Sequence, residues 1–306
     1  MDLVTGAFSF TGRYVAARLL EDGRDVRALT RRPRTESPFG DRVEALPLDF
    51  SDQGALIAAL RGTDTLYNTY WIRFPDRETT FNAAVRNSVA LFEVARAAGV
   101  RRVVQLSVTG AAPDSPYAYF RGKAAVEAAL AASGIPHAIV RPTLVFDDGE
   151  VLVNNIAWLL RHLPVFLLPG RGCRVQPVAA EDVAELCLEA AHSPSGTIRD
   201  AAGPDVFVLE ELVREVRSAV RSRAWVLRAR PRVALALARA LGVLTRQTLL
   251  TPEELGALGD DLLTSSEPPR GSRRFADWLA ASAPHLGRRL ASGDRRPWPE
   301  RTWPAK

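Results

Sequence analysis

The feature that most constrains the fold is an alternation of short apolar runs with longer amphipathic segments in the first half of the chain. The runs that predict strands occupy 3–5, 26–29, 43–48, 65–67, 103–106 and 138–140. The segments that predict helices between them include 13–20, 82–98 and 123–132. Parallel strands need crossovers of a dozen or more residues, which are usually helices. The pattern therefore predicts an α/β protein with a doubly wound parallel sheet, covered by helices on both faces.

A glycine-containing turn, TGAFSFTG at residues 5–12, joins the first predicted strand to its helix. Glycine at position 6 permits a tight turn, and glycine at position 12 lets the helix pack closely against the strand. The amides at the start of the helix can then bind a pyrophosphate. Serine stands where the dinucleotide fingerprint has its middle glycine, and its hydroxyl could itself donate to a phosphate. The candidate cofactor-binding residues of this turn are Gly6, Phe8, Ser9, Phe10, Thr11 and Gly12.

The end of the second predicted strand bears on the choice of nicotinamide cofactor. An acidic residue there would bind the ribose 2′-hydroxyl of NAD, whereas this chain has Thr30, Arg31 and Arg32. Arginine can pair bidentately with a 2′-phosphate, so we expect NADP to be preferred and NAD to be possible. The alternative is that both arginines belong to an ordinary exposed loop.

A serine, a tyrosine and a lysine follow the fifth predicted strand at Ser107, Tyr119 and Lys123. Residues four apart on a helix share a face, so Tyr119 and Lys123 can point into one site. A nearby ammonium lowers the pKa of a phenol from about 10 and makes it a usable general acid or base. Ser107 could hydrogen-bond a substrate oxygen as charge develops on it. The alternative is a surface helix with an incidental pair.

The rhythm of strands and helices changes after residue 146. Helices are predicted over 154–163, 181–191, 210–220 and 233–241, and a strand over 221–230. We therefore expect a Rossmann-type NAD(P)-binding domain over 1–146 and a smaller, mostly helical cap over 147–291 that is interleaved with it. The segment 292–306 is rich in proline and arginine and is expected to form a flexible tail.

Composition excludes several classes of protein. The chain has 306 residues, 47% of them hydrophobic, which is enough to bury a sizeable core. Its two cysteines cannot form a disulfide framework. No run approaches the roughly 20 apolar residues that span a bilayer, and no charged-then-apolar leader opens the chain. We expect a cytoplasmic protein that is not inserted in a membrane.

The formal charge of +5 invites a nucleic-acid interpretation, but no zinc-finger spacing or dense basic helix accompanies it. We therefore expect no nucleic-acid partner, and the four scattered histidines predict no metal site. Only two of the 40 basic residues, Lys123 and Lys306, are lysine. Since arginine is used so freely elsewhere, an internal lysine indicates a role that arginine cannot fill. The oligomeric state stays open.

Together these residues resemble the extended or atypical branch of the short-chain dehydrogenase/reductase superfamily, the NAD-dependent epimerase/dehydratase group. The glycine turn is followed by Asp49, Asn68, Ser107 and the Tyr119/Lys123 pair, in the family's order and approximate spacing. The stretch VRPT at 140–143 is similar to the segment after the sixth strand in extended members. The resemblance covers about residues 2–200 and is loose beyond.

The resemblance implies roles for further residues. It places Asp49 and Phe50 near the adenine, makes Tyr119 the proton donor or acceptor, and has Lys123 hold the nicotinamide ribose. Asn68, Arg141 and Pro142 join the candidate cofactor-binding residues. The candidate substrate-lining residues follow from position instead: Tyr70 and Trp71 leave the fourth strand at the edge where open α/β sheets bind ligands, and Asn154 and Trp158 could face them from the cap.

Three functions are compatible with this pattern. The first is an NAD(P)-dependent oxidoreductase acting on a small carbonyl or alcohol, in which the cofactor carries the hydride. The second is an epimerase or dehydratase that oxidises and re-reduces a nucleotide sugar with retained NAD. The third is an NAD(P)H-binding regulator or assembly subunit without turnover, because Ser9 and Ala179-Ala180 depart from the family pattern as some atypical members do.

Overall fold

The computed structural model describes residues 1–31, 37–75, 79–170, 172–245 and 250–291. Arg32 and the predicted tail over 292–306 lie outside the described residues. The strands are β1 (Asp2–Thr5), β2 (Val26–Thr30), β3 (Val43–Pro47), β4 (Thr65–Asn68), β5 (Arg102–Leu106), β6 (His137–Pro142), β7 (Leu144–Phe146), β8 (Val165–Pro169), β9 (Arg174–Val175), β10 (Pro177–Ala179), β11 (Thr197–Ala201), β12 (Phe207–Val208) and β13 (Trp225–Ala229). The helices are α1 (Phe10–Glu21), α2 (Gln53–Leu60), α3 (Phe81–Ala97), α4 (Ala118–Ala132), α5 (Val151–His162), α6 (Ala180–Ala191), α7 (Leu209–Ala219), α8 (Pro231–Thr245), α9 (Pro252–Gly259) and α10 (Phe275–Ser282).

The described residues form two compact units. The first unit comprises Met1–Pro142 and Ala180–Ala201, and the second comprises Thr143–Ala179 and 202–291. The division falls after β6, and α6 with β11 belongs to the first unit although the sequence analysis assigned that segment to the cap. The chain returns to the first unit at α6, and β11 pairs with β6 at the edge of its sheet. Alternation of strands and helices does not show which sheet a later strand joins.

The first unit contains a seven-stranded sheet with the order β11-β6-β5-β4-β1-β2-β3. Every neighbouring pair in it is parallel. Helix α1 packs with α6, and α3 packs with α2 and α4, which gives two helical layers. The doubly wound parallel sheet expected from the sequence is confirmed. Chain order reverses between β1 and β4, and ligands of open α/β sheets bind beside the carboxyl ends of strands at such a point.

Helix α3 illustrates how local sequence sets these elements. Its N-cap is Thr80, whose hydroxyl accepts a hydrogen bond from the amide of Ala83 at 3.1 Å. Gly99 follows its C-cap with a φ of +76°, a left-handed conformation that glycine adopts without steric cost. Leu91 and Phe92 are buried in the apolar core that fills the layer between this helix and the sheet.

The second unit is mostly helical, as expected. Its helices pack with three two-stranded pairs, β7 with β10, β8 with β13 and β9 with β12. Its core centres on Phe146 and Phe275, whose rings meet edge to face with centroids 5.3 Å apart. The sequence analysis predicted only β13 of these strands. Strands of two to five residues carry too little alternation to be recognised beside helices.

Candidate functional site

The glycine turn after β1 is tight and lies close to the start of α1. Gly6 has a φ of +64°, and its amide donates to the carbonyl of Leu29 on β2 at 2.8 Å. A Cβ placed on Gly12 would lie 2.1 Å from the carbonyl oxygen of Gly6. Position 12 therefore admits no side chain unless the turn and α1 separate. Ser9 is the N-cap of α1, and its exposed side chain does not cap the helix.

The remaining candidates in this turn are distributed around it. Phe8 is buried, whereas Phe10 and Thr11 open α1 and are partly exposed. No acidic side chain lies in the first turn of α1, so the partial positive charge of the helix N-terminus is available to an anion. The sequence analysis did not identify Thr69, whose hydroxyl donates to the carbonyl of Thr5 at 2.5 Å and lies next to both glycines.

A buried polar network joins the carboxyl ends of the three central strands. The hydroxyl of Thr5 on β1 donates to Oδ1 of Asn68 on β4 at 2.8 Å. Nδ2 of Asn68 donates to Oε1 of Gln105 on β5 at 2.7 Å. Asn68 is fully buried, and its Oδ1 also accepts from the amide of Tyr70. These contacts give Asn68 a structural role at the point where chain order reverses, and its contact with cofactor stays a prediction.

The carboxyl ends of β2 and β3 carry the residues predicted to bind the adenosine half of the cofactor. Arg31 is exposed directly after β2, and Thr30 is partly exposed. Asp49 is exposed after β3, and its carboxylate accepts from the amide and hydroxyl of Ser51, which lowers the pKa of that carboxyl. Phe50 packs against Tyr70 with ring centroids 5.1 Å apart.

Tyr70 itself is buried in the core of the first unit, and its hydroxyl accepts a hydrogen bond from Nδ2 of Asn87 at 2.9 Å. Packing in the core of the first unit therefore accounts for Tyr70, and its contact with substrate stays a prediction.

Ser107 and Lys123 are brought together after β5. Nζ of Lys123 donates to the carbonyl of Leu106 at 3.0 Å, directly before Ser107 in the chain. Both side chains are about 96% buried, since each residue is only 4% exposed. The hydroxyl of Ser107 has no hydrogen-bond partner among the described residues. Burying a hydroxyl without a hydrogen-bond partner destabilises the folded protein, and a ligand that hydrogen-bonds to Ser107 would remove this penalty.

Trp71 contacts both Tyr119 and Lys123. The ammonium of Lys123 lies 4.8 Å from the centre of the indole ring, within the range of a cation–π interaction. The ring of Tyr119 meets Trp71 edge to face at 5.9 Å and Phe81 at 5.7 Å. A Cβ on Gly122 would be 2.9 Å from the indole, so α4 approaches Trp71 closely because position 122 is glycine. The indole nitrogen is buried and has no partner among the described residues.

An ion pair between Glu127 and Arg141 lies next to Lys123. Glu127 follows it by one helical turn and is held by Nε of Arg141 on β6 at 2.9 Å, with a second bond from the same guanidinium. Burial lowers the pKa of the Lys123 ammonium to about 7, and the carboxylate of Glu127 opposes part of this shift. Arg141, predicted to contact cofactor, is thus engaged with Glu127, and Pro142 ends β6 with its carbonyl accepting from the amide of Thr109.

The sequence analysis did not identify Phe81 or Glu127 as part of this region. The spacing of Glu127 four residues after Lys123 was an available signal, because such pairs share a helix face. The sequence gives no comparable signal for Phe81, because its contact with Tyr119 depends on how α3 packs against α4.

Two further candidates, Asn154 and Trp158, lie on α5 in the second unit. Asn154 holds the segment near the end of the described chain, donating to the carbonyl of Arg289 at 2.9 Å and accepting from the amide of Gly287 at 3.0 Å. Trp158 stacks on His162 with centroids 4.6 Å apart. These contacts account for both residues by packing within the second unit, and their proposed contact with substrate stays a prediction.

The described residues contain neither a metal-binding cluster nor a membrane-spanning helix. No group of three or more His, Cys, Asp and Glu side chains among them is placed to hold a metal ion. None of the helices in this part of the chain is both long enough and apolar enough to cross a bilayer.

Comparison with known proteins gives a family. The profile of the family described as NAD(P)H-binding matches residues 6–194, which include the glycine turn and the region around Ser107 and Lys123.

Three curated relatives are informative. A (4-alkanoyl-5-oxo-2,5-dihydrofuran-3-yl)methyl phosphate reductase of Streptomyces griseus is 35% identical over 59% of this chain and 62% of its own. A ceramide reductase of Caulobacter vibrioides is 27% identical over 62% of this chain and 61% of its own. NADH dehydrogenase [ubiquinone] 1 alpha subcomplex subunit 9 of Dictyostelium discoideum is 26% identical over 69% of this chain and 61% of its own. The matches span about three fifths of the length of these relatives.

Solved structures share the fold. A nucleoside-diphosphate-sugar epimerase of Staphylococcus aureus superposes with a TM-score of 0.74 at 16% identity, covering 92% of this chain and all of that chain. An NADPH-dependent quinone oxidoreductase of Escherichia coli, solved with NADPH, superposes with a TM-score of 0.71 at 20% identity. The superposition covers 94% of this chain and 99% of that chain. At these identities the similarity extends to the fold alone.

Proposed function

Because the chain belongs to the NAD(P)H-binding family, we propose that it is an NADP-preferring oxidoreductase that acts on a small carbonyl or alcohol substrate through Ser107, Tyr119 and Lys123. The observation that carries this proposal is the buried, unpartnered hydroxyl of Ser107 beside the carbonyl that holds Lys123. A buried donor without a partner in a fold of this family is suited to a substrate oxygen.

The residues of the first unit fit a nicotinamide dinucleotide. The missing side chain of Gly12 and the left-handed Gly6 bring the start of α1 close to the turn, where amides can bind a pyrophosphate. Exposed Arg31 would pair with a 2′-phosphate, which is the basis of the expected preference for NADP. When bound, the cofactor supplies the hydride.

The side chains of α4 and β5 would manage the proton. In the reductive direction Tyr119 donates its phenolic proton to the substrate oxygen, and the hydroxyl of Ser107 donates a hydrogen bond to the same atom. The Lys123 ammonium favours the resulting phenolate by its positive charge. Since the pKa of Lys123 is about 7, this assistance is greatest at and below neutral pH and fades as the lysine loses its proton.

Trp71 would set the position of both catalytic side chains. Its indole contacts the ring of Tyr119 on one side and the ammonium of Lys123 on its face. A shape-changing substitution at Trp71 would therefore alter proton transfer and substrate binding together.

The names of the relatives favour reduction over epimerisation. Two of the three quoted are reductases, while the epimerases are fold neighbours at low identity. Both cysteines are buried and free, which agrees with the cytoplasmic location we propose.

The experiment is an NADPH-oxidation assay with a panel of aldehydes and ketones. Tyr119→Phe and Ser107→Ala should each lower kcat about 100-fold or more while NADPH binding is unchanged. Tyr117→Phe, two residues before on the same stretch of chain, serves as the matched control and should keep its activity. Full turnover by Tyr119→Phe would contradict the proposed role.

A second function is supported by the relative that is named as a subunit of NADH dehydrogenase. A non-catalytic NAD(P)H-binding subunit would bind NADPH, and no member of the panel would be reduced by wild-type protein. Under that function the wild type and Tyr119→Phe would be indistinguishable in every assay.

A further inference from the structure

The basic charge of the chain is concentrated in one segment. Residues 216–252 contain eight arginines and no acidic residue, whereas the rest of the chain has 32 lysines and arginines against 35 acidic residues. The excess positive charge of the protein therefore comes from this segment alone. The described part of it includes β13 and α8, both in the second unit.

Strand β13 exposes large apolar side chains next to this charge. Trp225 is 72% exposed and Leu227 is 48% exposed, while Val226 between them packs against the core of the second unit. Alternate residues of a strand face opposite sides, so Trp225 and Leu227 project from the same outer face. The flanking Arg223 and Arg230 are exposed as well.

Helix α8 carries a similar combination of exposed apolar and basic residues. Ala234 is buried, but Val233, Leu237 and Val243 are 52%, 40% and 79% exposed. These positions are spaced four and six residues apart and fall on one side of the helix. Arg232 and Arg239, which are seven residues apart and both exposed, flank this apolar stripe along one edge.

We propose that this surface, the α8 face (the exposed residues of β13 and α8), docks on an anionic lipid bilayer. An amphipathic helix with an apolar stripe, flanking arginines and a neighbouring tryptophan suits the headgroup region of a membrane. Arginine attracts anionic headgroups, and the segment 216–252 contains no acidic residue. The Glu210 carboxylate, which contacts β13 from α7, is paired with Arg228 and Arg214. A nucleic acid would engage the arginines but would leave the valines and leucines exposed to water.

The length of α8 sets the mode of binding. Its 15 residues measure about 22 Å, which is shorter than the roughly 30 Å hydrocarbon core of a bilayer. The exposed Arg232 and Arg239 along its edge favour a position on the surface, with Leu237 and Val243 entering the headgroup–acyl boundary.

The test is co-sedimentation of the full chain with vesicles of phosphatidylcholine alone or mixed with phosphatidylglycerol. Binding to the anionic vesicles only, with strong weakening in 1 M salt, is expected because salt screens the arginines. Leu237→Glu with Val243→Glu should abolish binding. The matched control is Ile198→Glu on β11, which is 46% exposed in the first unit and should bind as wild type does.

The contribution of charge is tested separately. Arg232→Gln with Arg239→Gln should weaken partitioning about fivefold per arginine. Arg61→Gln with Arg96→Gln, exposed arginines of the first unit, should leave it unchanged.

Three outcomes would overturn the proposal. They are equal binding to neutral vesicles, no binding to either composition, and a self-associated protein that Leu237→Glu converts to monomer while vesicles remain unbound. Neither the vesicle assay nor its variants depend on the catalytic site, so the two proposals succeed or fail independently.

Discussion

At the scale of single residues, the turn after β1 depends on the absence of one side chain. A methyl group on Gly12 would overlap the carbonyl oxygen of Gly6, so the backbone of the turn or α1 must move. Gly12→Ala is therefore expected to weaken NADPH binding at least tenfold and to lower the melting temperature, as measured by ligand titration and thermal unfolding.

The matched control is Gly54→Ala on α2. A Cβ there would meet only Oδ1 of Asp52 at an ordinary 3.5 Å, and alanine is the better helix former by about 0.5–1 kcal/mol. This variant should be as stable as the wild type or more so, with unchanged affinity for NADPH. Equal losses in both variants would contradict the steric explanation for Gly12.

Lys123 provides a prediction about pH. Its pKa falls to about 7 in the folded protein from the ordinary value of 10.5 because it is buried. The unfolded chain therefore binds more protons between these values, so stability rises with pH in this window, by on the order of 1 kcal/mol per unit.

Lys123→Met removes this buried charge, so the variant should melt above the wild type at pH 6, and the difference should shrink as pH rises towards 10.5. Thermal unfolding at several pH values checks the result. The Lys306→Met variant controls for the loss of a lysine charge elsewhere in the chain. A difference for Lys123→Met that is constant with pH would contradict the explanation by burial.

At the scale of elements, the three central strands are joined by side chains as well as by the ladder. Thr5, Asn68 and Gln105 link β1, β4 and β5 at their carboxyl ends. Asn68→Leu removes the 2.8 Å acceptor of the Thr5 hydroxyl and the donor to Oε1 of Gln105, so the free energy of unfolding should fall by roughly 3 kcal/mol or more. Chemical denaturation measures it.

Asn82→Leu on the exposed side of α3 is the control for this substitution and should change the free energy of unfolding by less than about 0.5 kcal/mol. A similar loss in both variants would contradict a specific role for the network at the reversal of chain order.

The elements show how far sequence can predict this fold. The strand ends that carry Asp49, Asn68 and Ser107 were predicted because buried parallel strands are apolar and their ends are polar. The hydrogen bond from Lys123 to the carbonyl of Leu106 and the contacts of Trp71 with Tyr119 and Lys123 could not be predicted in this way. Both depend on the direction of long side chains across packed elements, which periodicity does not encode.

At the scale of the whole molecule, the charge has two distinct parts. The proposed preference for NADP uses only one or two arginines after β2, whereas the excess positive charge belongs to 216–252. Arg31→Ala combined with Arg32→Ala should raise the Kd for NADPH about tenfold or more without changing that for NADH, because a charged hydrogen bond is lost.

Arg61→Ala controls for the loss of an exposed arginine elsewhere in the first unit. An unchanged ratio of the two dissociation constants in the double variant would contradict the role of these arginines.

The most direct test of the proposed enzyme is an equilibrium titration of the wild-type chain with NADPH and NADH, followed by tryptophan fluorescence and by melting temperature. We expect saturable binding of NADPH at a lower Kd than NADH, with a rise in melting temperature that grows with ligand concentration. If neither nucleotide binds saturably at millimolar concentration, or if neither raises the melting temperature, this chain is not the nicotinamide-dependent oxidoreductase proposed.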